Sequence, residues 1–380
     1  MSYNMSMKVE FYKHPLGQEE KTALLRAVDE IFLTTGPANL EFERRFAKYL
    51  GVEHALTTSS CTAALHLALM AIGVKPGDQV ITTPMTFVAT ANAVLHAGGQ
   101  PVFVDVEPET GLLDPDGVEG AITPRTRAIM PVHLYGQLAD MRALREIADR
   151  HGLFVVEDSA HAIEAIRDGV RPGQLGDAAG FSFYATKVIT CGEGGAITVH
   201  SKDMATQLSK LRLHGINKDA ASRYSGTYQH WDMDVLGWKY NLTNFQAAML
   251  LPQLDKMEDW RDRREEICRR YEEAFSKAGI GFPKVVENSK SSRHLFTIWI
   301  EDRDRVLQEL GKRGVGVAVN YRAVHLREFY RKSFGFKPGD FPVAERIGET
   351  TISLPLYPDL KDHEVEFVID QVIDVVSAGG

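Results

Sequence analysis

Between His54 and His200, short apolar runs alternate with helix-patterned segments, and this alternation leaves few folds open. The strand candidates are His54–Thr58, Gln79–Thr83, Pro101–Val106, Thr126–Val132, the run ending at Asp158, Asp177–Tyr184 and Ala196–His200. Helical stretches run from Ser59 to about Gly73, from Phe87 to His96, over Asp116–Ala121 and over Asp140–His151. Strands joined by helices imply a mostly parallel sheet covered on both faces, so the expected class is α/β. At 380 residues the chain exceeds one average domain. We expect a large domain over 1–255 and a smaller α+β domain over 256–380.

Within this frame one stretch bears chemistry. Phe181-Ser182-Phe183-Tyr184 leads to Lys187, and Gly192, Gly194 and Gly195 close the loop after it. A desolvated lysine loses proton affinity and becomes a usable nucleophile, which Schiff-base chemistry requires. Alone, the pattern also fits a surface hairpin. Upstream, Val155-Val156-Glu157-Asp158 is an apolar strand ending in an acid, followed by Ser159-Ala160-His161. Open α/β sheets bind ligands at the carboxyl ends of parallel strands. Pyridoxal phosphate enzymes need a lysine for the cofactor aldehyde and an acid facing its ring nitrogen. Lys187 and Asp158 supply that pair, although Asp158 alone also suits a helix N-cap.

Ordinary hydrophobic (44%) and charged (25%) fractions fit a soluble enzyme, and a net charge of −8 argues against a nucleic-acid partner. The pairs Arg44-Arg45, Arg263-Arg264 and Arg269-Arg270 read as solvated helix faces. No signal-peptide core stands at Met1–Ser6, and no uncharged apolar run is long enough to span a bilayer. Cys61, Cys191 and Cys268 are widely spaced, which fits a reducing cytoplasm. The 13 histidines form no metal-binding motif, so no metal is expected.

Other segments add candidates. Ser59-Ser60-Cys61-Thr62 opens a helix whose free N–H groups would favour an anion, or the hydroxyl residues simply cap it. Phe87 either stacks on a flat ring or joins the core. Gln18–Phe32 and Glu41–Tyr49 read as helices around the Thr34-Thr35-Gly36-Pro37 break. The long His214–Lys239 loop suggests a functional or interface segment. A long helix is expected from Asn241 to about Lys277, then strands at Leu295–Ile300 and Gly316–Asn320, with helices at Asp304–Arg313 and Asp362–Val376.

Six motifs in order resemble the nucleotide-sugar aminotransferases, a fold-type I pyridoxal phosphate family. They are Thr34–Pro37, Ser60–His66, Glu157–Ala162, Phe181–Phe183 with Lys187, Gly192–Gly195 and Lys239–Thr243. The tail Asn320–His325 with Ser353–Leu356 is similar to enzymes aminating C4 of UDP-linked 4-keto sugars.

The resemblance implies a role for each matching residue. Lys187 carries the cofactor as a Schiff base and shuttles the proton, and Asp158 pairs with the ring nitrogen. Phe87 stacks on the ring, and His161 lies beside it or is an ordinary core histidine. The backbone of Cys61 and Thr62, with Ser182, holds the phosphate. Asn241 reaches the partner subunit's cofactor phosphate, implying a homodimer with shared sites, or caps the long helix. Leu33, Thr34, Thr35 and Gly36, with Asn320, Tyr321, Arg322 and Ala323, contact the sugar nucleotide. His325 lies either in that cleft or at the surface. The implied reaction passes the amino group of L-glutamate through pyridoxamine phosphate to a nucleotide-linked keto sugar, at C4 or alternatively at C3, for polysaccharide precursor synthesis. Related sugar 3-dehydratases carry a histidine where this chain has Lys187, which counts against that reading. The intact Lys187–Asp158 pair counts against a non-catalytic regulator.

Overall fold

The computed structural model describes residues 7–217 and 230–378. Seven strands form the main sheet: β1 (His54–Thr58), β2 (Gln79–Thr82), β3 (Gln100–Phe103), β4 (Thr126–Ile129) and β5 (Phe154–Asp158), then, after the short β6 (Ile166–Arg167), β7 (Ala178–Ser182) and β8 (Gly195–Val199). Their order is β1-β8-β7-β5-β4-β2-β3. Strands β3, β2, β4, β5 and β7 run parallel, and β8 pairs antiparallel with both β7 and β1. Parallel strands need crossovers, and the helices between them supply these while covering the sheet with their apolar faces. The Cys61–Ala71 helix is buried along nearly its whole length, which suits a helix packed in the core beside β7 and β8.

A second core gathers Ile267, Tyr271, Phe275 and residues out to Val375 around two strands, β10 (Phe296–Trp299) and β11 (Thr351–Leu354). Val9 from the amino-terminal segment packs into it. Between the cores, β9 (Ser289–Lys290) pairs with β6.

Several boundaries differ from expectation. The first helix stops at Val28 rather than Phe32. Its continuation turns away, so that Glu30 accepts from the Asn244 amide (2.8 Å) and Thr34 bridges Thr243. The second helix starts at Pro37 with Gly36 as N-cap: a proline at the first helical position begins a helix instead of only ending one. The expected helix to Lys277 is two, Asn244–Leu254 and Met257–Lys277. Pro252 weakens the first by removing a backbone donor. Gly316–Asn320 is not a regular strand and makes only the Ala318–Ser353 bridge.

Arg264 corrects the reading of its pair as a solvated face. It is buried, and its guanidinium reaches Glu164 at 2.7 Å and the Ser292 carbonyl at 3.1 Å. That contact pins the Met257–Lys277 helix to the segment following β5. Of the expected loop, residues 218–229 lie outside the described residues.

Candidate active site

The carboxyl ends of β5 and β7 and the start of the Cys61–Ala71 helix meet at one cavity of about 550 Å³. Its walls include Cys61, Thr62, Phe87, Asp158, His161, Ser182, Lys187, Asn320 and Tyr321. Sequence-distant candidates thus converge on one place.

Asp158 is buried at the end of β5. Its carboxylate accepts from Thr90 Oγ1 at 2.7 Å and from the Ala160 N–H at 3.2 Å. Thr90 Oγ1 is in turn 2.7 Å from Thr86 Oγ1. Burial is the main influence on the acid and raises its proton affinity, while Thr90, Ala160 and the Lys187 charge pull the other way. Such a carboxylate is oriented and ready to pair with a cationic ring nitrogen. Sequence reasoning missed Thr90. Its one local signal is the i, i+4 spacing from Thr86 at a helix start.

At another wall, Ser60 caps the Cys61–Ala71 helix by accepting from the Ala63 N–H at 3.1 Å. The first N–H groups of a helix lack intrahelical acceptors and favour an anion. Gly195 lets β8 pass beneath this turn, since a Cβ there would lie 2.4 Å from the Ser60 carbonyl carbon and 2.6 Å from the Cys61 nitrogen. Ser182, ending β7, faces the same wall.

Lys187 sits in a loop clamped on itself. The Phe183 carbonyl accepts from the Cys191 N–H at 3.1 Å, and the Gln253 side chain holds both the N–H and the carbonyl of Thr190 at 2.9 and 2.8 Å. The side chain opens to the cavity, while its amine is enclosed near Asp158, Cys61, His161 and His294. Burial lowers its proton affinity to about 8, against opposing pulls from Cys61 and Asp158.

Phe87 is 55% exposed, so its ring faces the cavity rather than the core. The Tyr321 ring lies 5.7 Å from it. His161 is buried, with Nε2 3.1 Å from the Tyr321 hydroxyl and Nδ1 lacking a partner among the described residues.

Other candidates lie elsewhere. Leu33, Thr34, Thr35, Gly36 and Asn241 do not line this cavity. The Asn241 amide donates to Thr34 Oγ1 at 2.7 Å, and the helix that follows is capped by Thr243, not Asn241. Arg322 and Ala323 line a separate recess of about 160 Å³. His325 is neither in the cleft nor at the surface. It is 0% exposed, packed on Phe341 and 2.9 Å from Glu345, because the turn after Ala323 carries it inward. His294, which sequence reasoning missed, stands 3.4 Å from the Lys187 amine. It precedes β10 and is joined to Lys187 only by tertiary structure.

A buried acid, a helix start poised for an anion, an exposed aromatic face and an enclosed lysine fit pyridoxal phosphate. The unpartnered His161 Nδ1 and the cradle that only Gly195 permits agree with a group seated there. Fold and site therefore define a pyridoxal phosphate-dependent enzyme of fold type I. Over residues 15–373 the sequence matches the DegT/DnrJ/EryC1/StrS aminotransferase family, and the chain belongs to it.

It is 41% identical over 375 residues to the spore coat polysaccharide biosynthesis protein SpsC of Bacillus subtilis, covering 96% of each chain. DesV of S. venezuelae, solved with a ketimine intermediate, superposes with a TM-score of 0.90 at 36% identity, covering 97% of this chain and 98% of that one. Spr1654 of Streptococcus pneumoniae in its PMP form gives 0.93 at 31% identity, covering 97% and 99%; it is also solved in a PLP form.

The buried lysine carries a stability cost that can be measured. Folded Lys187 titrates near 8 against an ordinary 10.5. The cost is full below pH 8 and fades as pH rises to 10.5, where the unfolded lysine also becomes neutral. Lys187→Met apoprotein is therefore expected to be more stable than wild type at pH 7, by at most about 3 kcal/mol, and by less where cavity water reaches the amine. Urea unfolding at several pH values should show this gain shrinking between pH 8 and 10.5. A gain independent of pH would contradict the enclosed amine.

Proposed function

We propose that the enzyme moves the amino group of L-glutamate to C4 of a UDP- or dTDP-linked 4-keto sugar, for polysaccharide or glycan precursor synthesis. The observation that carries this reading is the convergence of Lys187 and Asp158 on one cavity also walled by Asn320 and Tyr321. Similarity to SpsC, and to Spr1654, described as a sugar aminotransferase, supports the sugar and the polysaccharide setting.

In this reading Cys61, Thr62 and Ser182 hold the cofactor phosphate, and Phe87 and His161 hold its ring. The cofactor supplies the electron sink for the carbon that loses a proton. Asp158, held by Thr90, keeps a positive ring nitrogen paired. The Lys187 amine, with proton affinity near 8, is partly neutral at physiological pH and can take the proton from the donor carbon and deliver it to the acceptor side. Tyr321, hydrogen-bonded to His161, forms the sugar-facing wall.

Leu33 to Gly36 and Asn241, which do not face their own cavity, would serve the partner's site in a homodimer. The exposed apolar side chains of Val28, Ile31 and Leu33 support such an association.

The purified holoenzyme should be yellow, and L-glutamate should bleach its visible band. A panel of UDP-, dTDP- and GDP-linked 4-keto and 3-keto sugars should restore the band only with its acceptor, with ping-pong kinetics. Restoration by a 3-keto sugar alone would overturn C4. Restoration by none would overturn the sugar acceptor.

A further inference from the structure

The two residues before His294 are held in place. The Ser292 N–H donates to the Gly136 carbonyl at 2.9 Å, and the Arg293 guanidinium is ion-paired to Glu265 and Glu272 at 2.9 and 2.8 Å. The His294 ring lies 4.4 Å from that of His161, tilted by 49°, and Nε2 points to the Lys187 amine at 3.4 Å. Among the described residues no other side-chain hydrogen bond holds that amine.

We propose that His294 is the positioning residue of Lys187: its Nε2 accepts a hydrogen bond from the lysine amine and aims it into the cavity. This rests on the pyridoxal phosphate reading of the site. A lysine ammonium has three donors and a flexible four-carbon stem, so a fixed acceptor limits where the nitrogen can go. Burial, with the nearby charges of Lys187, His161 and Arg264, holds the His294 imidazole well below its usual range. The ring is therefore neutral at physiological pH and does not repel the ammonium. The other titratable groups facing Lys187 are Asp158, Cys61 and His161, and none replaces this acceptor.

The test is attachment of pyridoxal phosphate to apoprotein, followed by visible absorbance from pH 6 to 10, with borohydride reduction and peptide mass confirming Lys187. His294→Phe is expected to attach the cofactor about 2- to 10-fold more slowly at its plateau, where the amine is neutral, the size of one neutral hydrogen bond. Its pH midpoint should move below the wild-type value near 8, because the ammonium loses its acceptor. His294→Gln, which keeps an acceptor of similar reach, should recover most of the rate, and His294→Asn, too short, should not. Circular dichroism and Tm check that each variant is folded, and the Gln–Asn comparison decides the matter if His294→Phe does not fold. Wild-type rate and midpoint in His294→Phe, or equal rates for the Gln and Asn variants, would overturn the proposal. Wild-type protein that never attaches the cofactor would instead sink the underlying reading.

Discussion

Lys187→Ala is expected to lose amino transfer almost completely, with kcat falling by at least about 10⁴-fold, the upper end of what a single general acid–base group contributes. The residue is asked to do two things, so the loss should reach that limit. Among the described residues it is the only lysine lining the cavity, and its amine is enclosed where proton affinity drops to about 8. Alanine removes both nucleophile and proton carrier and leaves the Thr190–Gln253 clamp untouched. The visible band of lysine-bound cofactor should vanish, and the folded fraction should not fall. Steady-state assays with single-turnover absorbance measure both effects. A variant that transaminates at the wild-type rate would remove Lys187 from the mechanism.

The second large effect is expected at Asp158. Asp158→Asn keeps the shape and a carbonyl oxygen for Thr90 Oγ1, now 2.7 Å away, and removes the charge together with the second oxygen, which accepts from the Ala160 N–H at 3.2 Å. Loss of one preorganised electrostatic partner costs about 10²- to 10³-fold in kcat, and cofactor retention should weaken as well. pH provides an independent check. Burial raises the Asp158 proton affinity above the ordinary carboxyl value of 3.8, so wild-type activity should decline on the acid side before that value is reached. The decline should be absent from the residual activity of Asp158→Asn. Measuring kcat against pH for both proteins tests this, and a variant within twofold of wild type would show that the carboxylate is not needed.

Local pattern made much of the candidate site legible. Asp158 follows an apolar run and ends β5, and Lys187 follows the aromatic run that continues β7. Ser60 opens a helix as small hydroxyl residues do. Two features were legible only in part. Pro37 was read as a stop and is a start, since proline suits both. Arg264 was read as solvated, yet it is buried against Glu164 from a distant segment. Thr90 and His294 carry no strong local signal. Each matters only because another part of the chain brings Asp158 or Lys187 to it.

Strand and helix periodicity, glycine placement and the residue types at strand ends are short-range properties, and from them the chain alone determined the α/β class and the lysine–acid pair. Which side chains share a cavity depends on crossovers and packing between segments over a hundred residues apart, such as Lys187 and His294. Tertiary structure therefore decided that His161 meets Tyr321, that His325 turns into the core, and that Asn241 bonds to Thr34 outside the cavity wall. The reason is physical: burial and the pairing of buried polar groups are settled by the whole packed chain, not by neighbours in sequence.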